Sequence, residues 1–325
     1  MPLFHRESAE ERQRREAAEL AARQEATLQE RSLRQLEAGG LPARAQERIA
    51  QIRSGVGGAP YSSDLSVDEL LFARQSGYAP LGLVSGSSVY HIGWNSWTMS
   101  GELDAQTAAM AGAAYAAIDR MRQEAEGMGA LGVAGVHLQV TRPQWGEHLV
   151  EVIALGTALK ALGDTQATPP FLCGLSGQEL WSLLRMGTRP AGLVFGNSTF
   201  YIRTDWRDIW RNTSWYNQEM QHYTQGLYQA QRYTFGRMHE LAARQQAHGV
   251  IGVHIEHSLT PIPQQTQNGD ETIEYNDYVV EYLAWGTAVI EAPSHPHLAP
   301  VAQVLDLEDA ARSLRVTAGM EGAQG

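Results

Sequence analysis

Three blocks of this sequence occur twice in the same order, and no other feature limits the fold as strongly. In the first copy, Leu65-Ser66 with Glu69-Leu70 leads through Gly77 and Pro80 to Gly82-Leu83-Val84, Gly86 and Ser88. In the second, Leu175-Ser176 with Glu179-Leu180 leads through Gly187 and Pro190 to Gly192-Leu193-Val194, Gly196 and Ser198, an offset of 110 throughout. Gly132 and Gly135-Val136-His137 return as Gly249 and Gly252-Val253-His254 at offset 117. Glu151, Ala154 and Gly156-Thr157-Ala158 return as Glu281, Ala284 and Gly286-Thr287-Ala288 at offset 130. Two copies mean a duplication, because a solenoid needs three or more. The expected division is a charged helical leader and linker over 1–60, a first module over 64–164, a second over 173–292 and a C-terminal tail over 293–325.

Each copy reads the same way physically. Ser66 or Ser176 caps a short helix, with Glu69 or Glu179 at the capping-box position. An apolar strand pair is expected near Gly82–Ile92 and Gly192–Ile202, then a long helix from Asp104 to Gly127 or from about Ser214 to Gly249. Val136, Leu138 and Val140 alternate with His137, Gln139 and Thr141, the period of a half-buried strand. A last strand ends at Gly156-Thr157 or Gly286-Thr287. The turn before it is tight in copy one, around Pro143 and Gly146, and reads as a long loop in copy two, Thr260 to Glu274, with Asn268-Gly269 as a turn signal. The predicted fold is α+β: two tandem ββαββ modules, each an antiparallel-rich sheet with one long helix on one face.

Residues 6–38 are rich in good helix formers, and Glu10–Arg14, Glu11–Arg15, Glu19–Arg23 and Glu30–Arg34 pair at i,i+4 with the acid first. Gly39-Gly40 and Pro42 stop that helix, and its leucines keep no heptad. It is either a solvated helix or an arm that docks another protein. Residues 54–63 read as a flexible linker.

The net charge of −11 is uneven: residues 1–60 hold ten Arg against nine Glu, a net of +1 that leaves −12 for the rest. An acidic body argues against nucleic acid, whose phosphates need neutralising cations. The start is charged at once and no long apolar run occurs, so neither a signal peptide nor a membrane span is expected and the cytoplasm is the default compartment. Cys173 is the sole cysteine, too few for a disulfide or a CxxC metal site.

Several motifs bear on chemistry. Gly127-Met128-Gly129-Ala130-Leu131-Gly132 spells GxGxxG, but here a helix precedes and a strand follows, the reverse of what aims N–H groups at a pyrophosphate. A helix C-cap is the expected role. His254 and His257 fall on opposite faces of a strand, and His295-Pro296-His297 lies in the tail. The repeat supplies a better constellation: His137 with Glu151, and His254 with Glu281, each pair on adjacent strands off the apolar row. One His and one Glu are too few for tight zinc, which wants three or four ligands, unless a neighbouring subunit adds more; an ordinary polar pair is the plainer reading. Trp94 and Trp97 in copy one, and Trp206, Trp210, Trp215 and Tyr216 in copy two, form a candidate interface or ligand platform. The last strand of copy two is apolar on both faces, so one face needs cover from the sister module or another subunit.

At these blocks the chain resembles the YbjQ family, labelled a heavy-metal-binding domain. The resembling residues are Gly192-Leu193-Val194-Phe195-Gly196, Gly249-Val250-Ile251-Gly252-Val253 and Trp285-Gly286-Thr287-Ala288-Val289, with the same marks at Gly82–Gly86, Gly132–Val136 and Gly156–Ala158. The resemblance covers roughly residues 80–160 and 190–290 and implies the ββαββ fold, a cytoplasmic setting and a ring-like homo-oligomer. The chain departs from the family in carrying two modules and a leader, with no cysteine near the repeated blocks. The expectation is a non-catalytic, oligomeric binding or scaffold protein without a nucleic-acid or membrane partner, its one candidate cofactor a weakly held divalent transition metal. The alternative is a small-molecule binder or enzyme using a tryptophan-lined cleft between the modules.

Overall fold

The computed structural model describes residues 9–54, 61–93, 99–142, 149–163, 169–205, 207, 217, 219–268 and 271–291. The leader forms two helices, α1 (Ala9–Glu37) and α2 (Ala43–Ser54), turning at the Gly39-Gly40 break. The second was not anticipated. It lies on the first module through Ile49, with Leu41 just ahead of it, and its Arg48 pairs with Glu124, a carboxylate that also accepts the Ser85 N–H at 2.7 Å. α1 stays exposed along most of its length.

The first module runs α3 (Val67–Gln75), β1 (Tyr78–His91), β2 (Gly101–Glu102), α4 (Asp104–Met128), β3 (Gly132–Thr141) and β4 (Leu149–Ala161). β5 (Phe171–Leu172) follows just ahead of the second module, which runs α5 (Gly177–Arg185), β6 (Thr188–Ile202), α6 (Gln221–Arg244), β7 (Gly249–Asn268) and β8 (Glu271–Glu291). Both capping boxes form: Ser66 N donates to Glu69 at 2.6 Å and Ser176 N to Glu179 at 2.9 Å.

The registers of the two sheets repeat. β1 pairs β4 with Gly82 opposite Ala158, and β6 pairs β8 with Gly192 opposite Ala288, each after a shift at the preceding proline. β3 meets β4 across a bulge between Ala134 and His137, and β7 meets β8 across one between Ile251 and His254. Gly135 at φ 66° and Gly252 at φ 59° occupy those bulges, in the left-handed region that glycine enters without a Cβ penalty. The repeated threonine has a matching job. Thr157 Oγ1 accepts the Asp64 N–H at 3.1 Å, and Thr287 Oγ1 accepts the Gly174 N–H at 2.9 Å.

Two departures from expectation bear on function. The strand pairs expected near Gly82–Ile92 and Gly192–Ile202 are each one continuous strand, β1 and β6, and the two-residue β2 that follows in the first copy joins the other sheet. The sheet orders are β1-β4-β3-β5 and β2-β6-β8-β7, so β2 of the first module joins the second sheet and β5, just ahead of the second module, joins the first. Second, Thr260 to Glu274 is not a loop. β7 and β8 continue as a two-stranded ribbon to the pair Asn268–Glu271. Pro261 and Pro263 are tolerated there because β7 is an edge strand, where a missing N–H breaks no ladder bond.

The layers stack as first sheet, α4, second sheet, α6. α4 buries Met110, Ala117 and Met121 with Val84, Val136 and Val152 of its own sheet, and the same core takes in Phe195, Leu283 and Trp285 from the second sheet. Tyr115 meets Phe195 edge-on at 5.9 Å. The opposite face of the second sheet, with Val194, Val280 and Ala284, is covered by α6. The doubly apolar last strand is therefore covered within the chain, on one face by its own helix and on the other by the sister module.

Candidate functional site

The candidate site lies at the junction between the modules, where hydrogen bonds from several elements meet. It begins with the chain just before α5. Cys173 N donates to Val133 O at 2.9 Å, Val136 N to Cys173 O at 2.9 Å, and Gly135 N to Leu175 O at 2.9 Å, so residues 171–175 complete the open edge of β3. α3 and α5 then cross closely, with Phe72 and Trp181 rings 5.1 Å apart and the Gly177 backbone seated on Glu69.

At the other end of the junction, β2 extends the edge of β6, with Gly101 opposite Tyr201 and Glu102 opposite Phe200. Arg237 of α6 donates to both oxygens of Glu102, at 2.6 and 2.9 Å, and Ser198 donates to it at 2.7 Å. Burial alone would raise the Glu102 carboxyl, but Arg237, with Ser198 and Thr107, outweighs it and holds that carboxyl below its usual range. Nearby, the buried Asn197 side chain donates to Thr107 O at 2.8 Å, tying the second sheet to α4.

The proposed metal residues fall differently. His137 stands opposite Leu155 and Glu151 opposite Thr141, four ladder positions apart, which is about 13 Å at strand rise. His254 stands opposite Trp285 and Glu281 opposite Ser258, the same separation. The structure thus brings neither His to its Glu. Glu281 is instead held by Arg142, whose Nε lies at 2.9 Å, and by Ser258 at 3.1 Å. His254 stacks on Trp285 with ring centres 5.5 Å apart. His137 and His254 do share one cleft of about 360 Å³, with Asp64, Glu69 and Glu179 on its walls. His137 Nδ1 lies 3.7 Å from Asp64. Among the described residues, no group of three or more His, Cys, Asp or Glu is close enough to hold an ion, so the donor set of a single chain does not fit a closed metal centre.

Trp94, Trp97, Trp206, Trp210, Trp215 and Tyr216 lie outside the described residues, as do the tail over 293–325 and its His295 and His297. Cys173 does sit beside a repeated block. It occupies the place of Ser63, buried, with Thr287 donating to its sulfur at 3.8 Å. Burial pushes its thiol up to about 11, so it is neither a ready nucleophile nor a ready ligand. Sequence reasoning missed Glu102, Arg237 and Arg142, because the elements that carry them meet only in the tertiary fold.

Fold and site together define an α+β protein with two antiparallel-rich sheets, each carrying one short strand from the other half of the chain. The family described as "Putative heavy-metal-binding" matches residues 94–161, which run from the segment before β2 to the end of β4. The chain is also 32% identical over 278 residues to the "Encapsulin nanocompartment protein Rv1762c" of Mycobacterium tuberculosis, covering 82% of this chain and 97% of that one. It belongs to the family of that protein. No solved structure matches it. Among the described residues, no helix is long and apolar enough to cross a membrane.

Proposed function

We propose that this chain is a structural subunit that works by associating with copies of itself, as a component of an encapsulin-type nanocompartment in the cytoplasm, and that it catalyses no reaction. In this reading residues 64–164 and 173–292 are two copies of one YbjQ-type module, and the leader over 1–60 is an accessory arm for a protein partner. Support comes from the printed name of a relative matched over nearly its whole length. The observation that carries the reading is an asymmetry. Surfaces that each module covers on its sister stay open where no sister exists, as at Val67, 84% exposed, and Tyr228, 67% exposed. Light scattering on untagged, full-length protein at micromolar concentration is expected to give a multiple of the chain mass. A monodisperse monomer would remove the proposal.

A second reading rests on the cleft of about 480 Å³ between the modules, where Arg142, Glu256 and His257 meet Met110 and Val140. Burial raises the Glu256 carboxyl and lowers Arg142 there, conditions that favour a small polar ligand. A thermal-shift screen of small anions and zwitterions tests it; a melting point unmoved by any of them would set it aside.

A further inference from the structure

The junction inside the chain is a template, and both of its halves recur at the ends of the molecule without a partner among the described residues. Under the repeat, residues 61–67 match 171–177, β7 matches β3, and the far face of the first sheet matches the face of the second sheet that α4 covers. In each case the matched residue inside the chain is buried and its counterpart is open. Val136 on β3 is 1% exposed, whereas Val253 on β7 is 39% exposed. Thr199 is 3% exposed beneath α4, whereas Val89, at the same place on the first sheet, is 53% exposed.

The backbone alternation agrees. Asp64 N points inward to Thr157, and Ser62 O accepts Leu83 N at 2.6 Å. That turns the N–H and C=O of Ser63 outward, the groups that Cys173 uses to complete β3. On β7, Val250 O and Val253 N are the counterparts of the β3 groups that receive Cys173, and they face the open edge of the sheet. An exposed apolar edge strand is a template for another chain. Here the chain itself carries the matching strand.

Resting on the self-assembly reading, we propose that copies of this chain join head to tail. Residues 61–67 and α3 of one copy complete β7 and meet α5 of the next, as residues 171–177 and α5 complete β3 and meet α3 within the chain. Ser63 of the partner subunit donates to Val250 O and accepts from Val253 N, and α6, with Tyr228 outward, lies on the partner's first sheet. The contact is heterologous, so repeating it closes a ring if the rotation divides a full turn and otherwise builds a filament. A closed ring holds an even number of modules in pseudo-equivalent positions.

The test blocks one end at a time. Val67→Arg with Leu71→Arg closes the leading end, and Val253→Arg with Ile255→Arg closes the trailing end; all four positions are exposed, so the fold is expected to survive and circular dichroism checks it. By native mass spectrometry each double variant is expected to be a monomer. An equimolar mixture is expected to give a species of twice the chain mass, because one intact leading end then meets one intact trailing end. Wild-type assembly retained by either variant, or a mixture that stays monomeric, overturns the head-to-tail contact while leaving self-assembly standing. A monomeric wild type defeats both. Should a variant fail to fold, a chain carrying Tyr61→Cys and Gly249→Cys replaces it, matching the in-chain pair Phe171–Gly132. A short bismaleimide is expected to yield a ladder of cross-linked chains, since Cys173 is buried, and cross-linking that never joins two chains overturns the proposal.

Discussion

Arg237 on α6 grips Glu102 on β2 with two hydrogen bonds, of 2.6 and 2.9 Å, and so fastens a strand contributed by the first module to the long helix of the second. Removing the charge leaves the Arg237 guanidinium, which also donates to Asn197 O at 2.8 Å, without a charged partner in a half-buried site. Glu102→Gln is expected to cost about 1–3 kcal/mol in urea unfolding. The Glu102 carboxyl is held low when folded, so its contribution is complete above the unfolded carboxylate range and is lost as pH falls through the lower folded value. Wild type should lose that stability on acidification and Glu102→Gln should not. Equal acid sensitivity in the two would contradict this role.

Gln246 is the one non-glycine described at positive φ, 56°, and it ends α6 where Gly129, at φ 77°, ends α4. A side chain in the left-handed region costs roughly 1 kcal/mol. Gln246→Gly is therefore expected to raise the thermal midpoint by a few degrees, and Gly129→Ala to lower it. A drop in stability from Gln246→Gly would mean that its side chain contributes more than its backbone costs.

Cys173 is sealed at the junction with its thiol pushed up to about 11. Native protein at pH 8 is expected to resist a thiol reagent until it unfolds, when one thiol per chain reacts. Stoichiometric labelling within minutes in native buffer would show that residues 171–175 leave β3 readily.

A single chain is expected to bind Zn²⁺ only weakly, because His137 and His254 are each four ladder positions from the Glu once paired with them. If any site forms, it draws on the shared cleft with Asp64, so His137→Ala with His254→Ala should abolish the heat seen in calorimetry while Glu151→Ala leaves it unchanged. Loss through Glu151→Ala would restore the original pairing.

What the sequence revealed and what it hid divide along the range of the forces involved. The short helices after Ser66 and Ser176 were readable because a capping box is a four-residue device. The GxGxxG stretch read correctly as a helix end, since Gly129 caps α4 in the left-handed conformation. The His–Glu pairs were placed on adjacent strands, but alternation gives only the face of a residue, and the ladder offset between His137 and Glu151 depends on the Gly135 bulge and the hairpin ahead of β4. The exchange of β2 and β5 was hidden because a two-residue strand exists only through its partner. Helix α2 was passed over because Ile49, with Leu41 just ahead of the helix, finds its apolar partners only in the core of the first module.

Hydrogen–deuterium exchange on the assembled, untagged protein tests the central claim most directly, by comparing β7 with β3. The amides of Gly252 and Val253 are expected to be protected as strongly as those of Gly135 and Val136, which donate to residues 171–175, and to lose that protection in the Val67→Arg, Leu71→Arg variant. Fast exchange along residues 250–255 in the wild-type assembly would show that the β7 edge stays open, and would contradict an assembly in which each chain completes the sheet of the next.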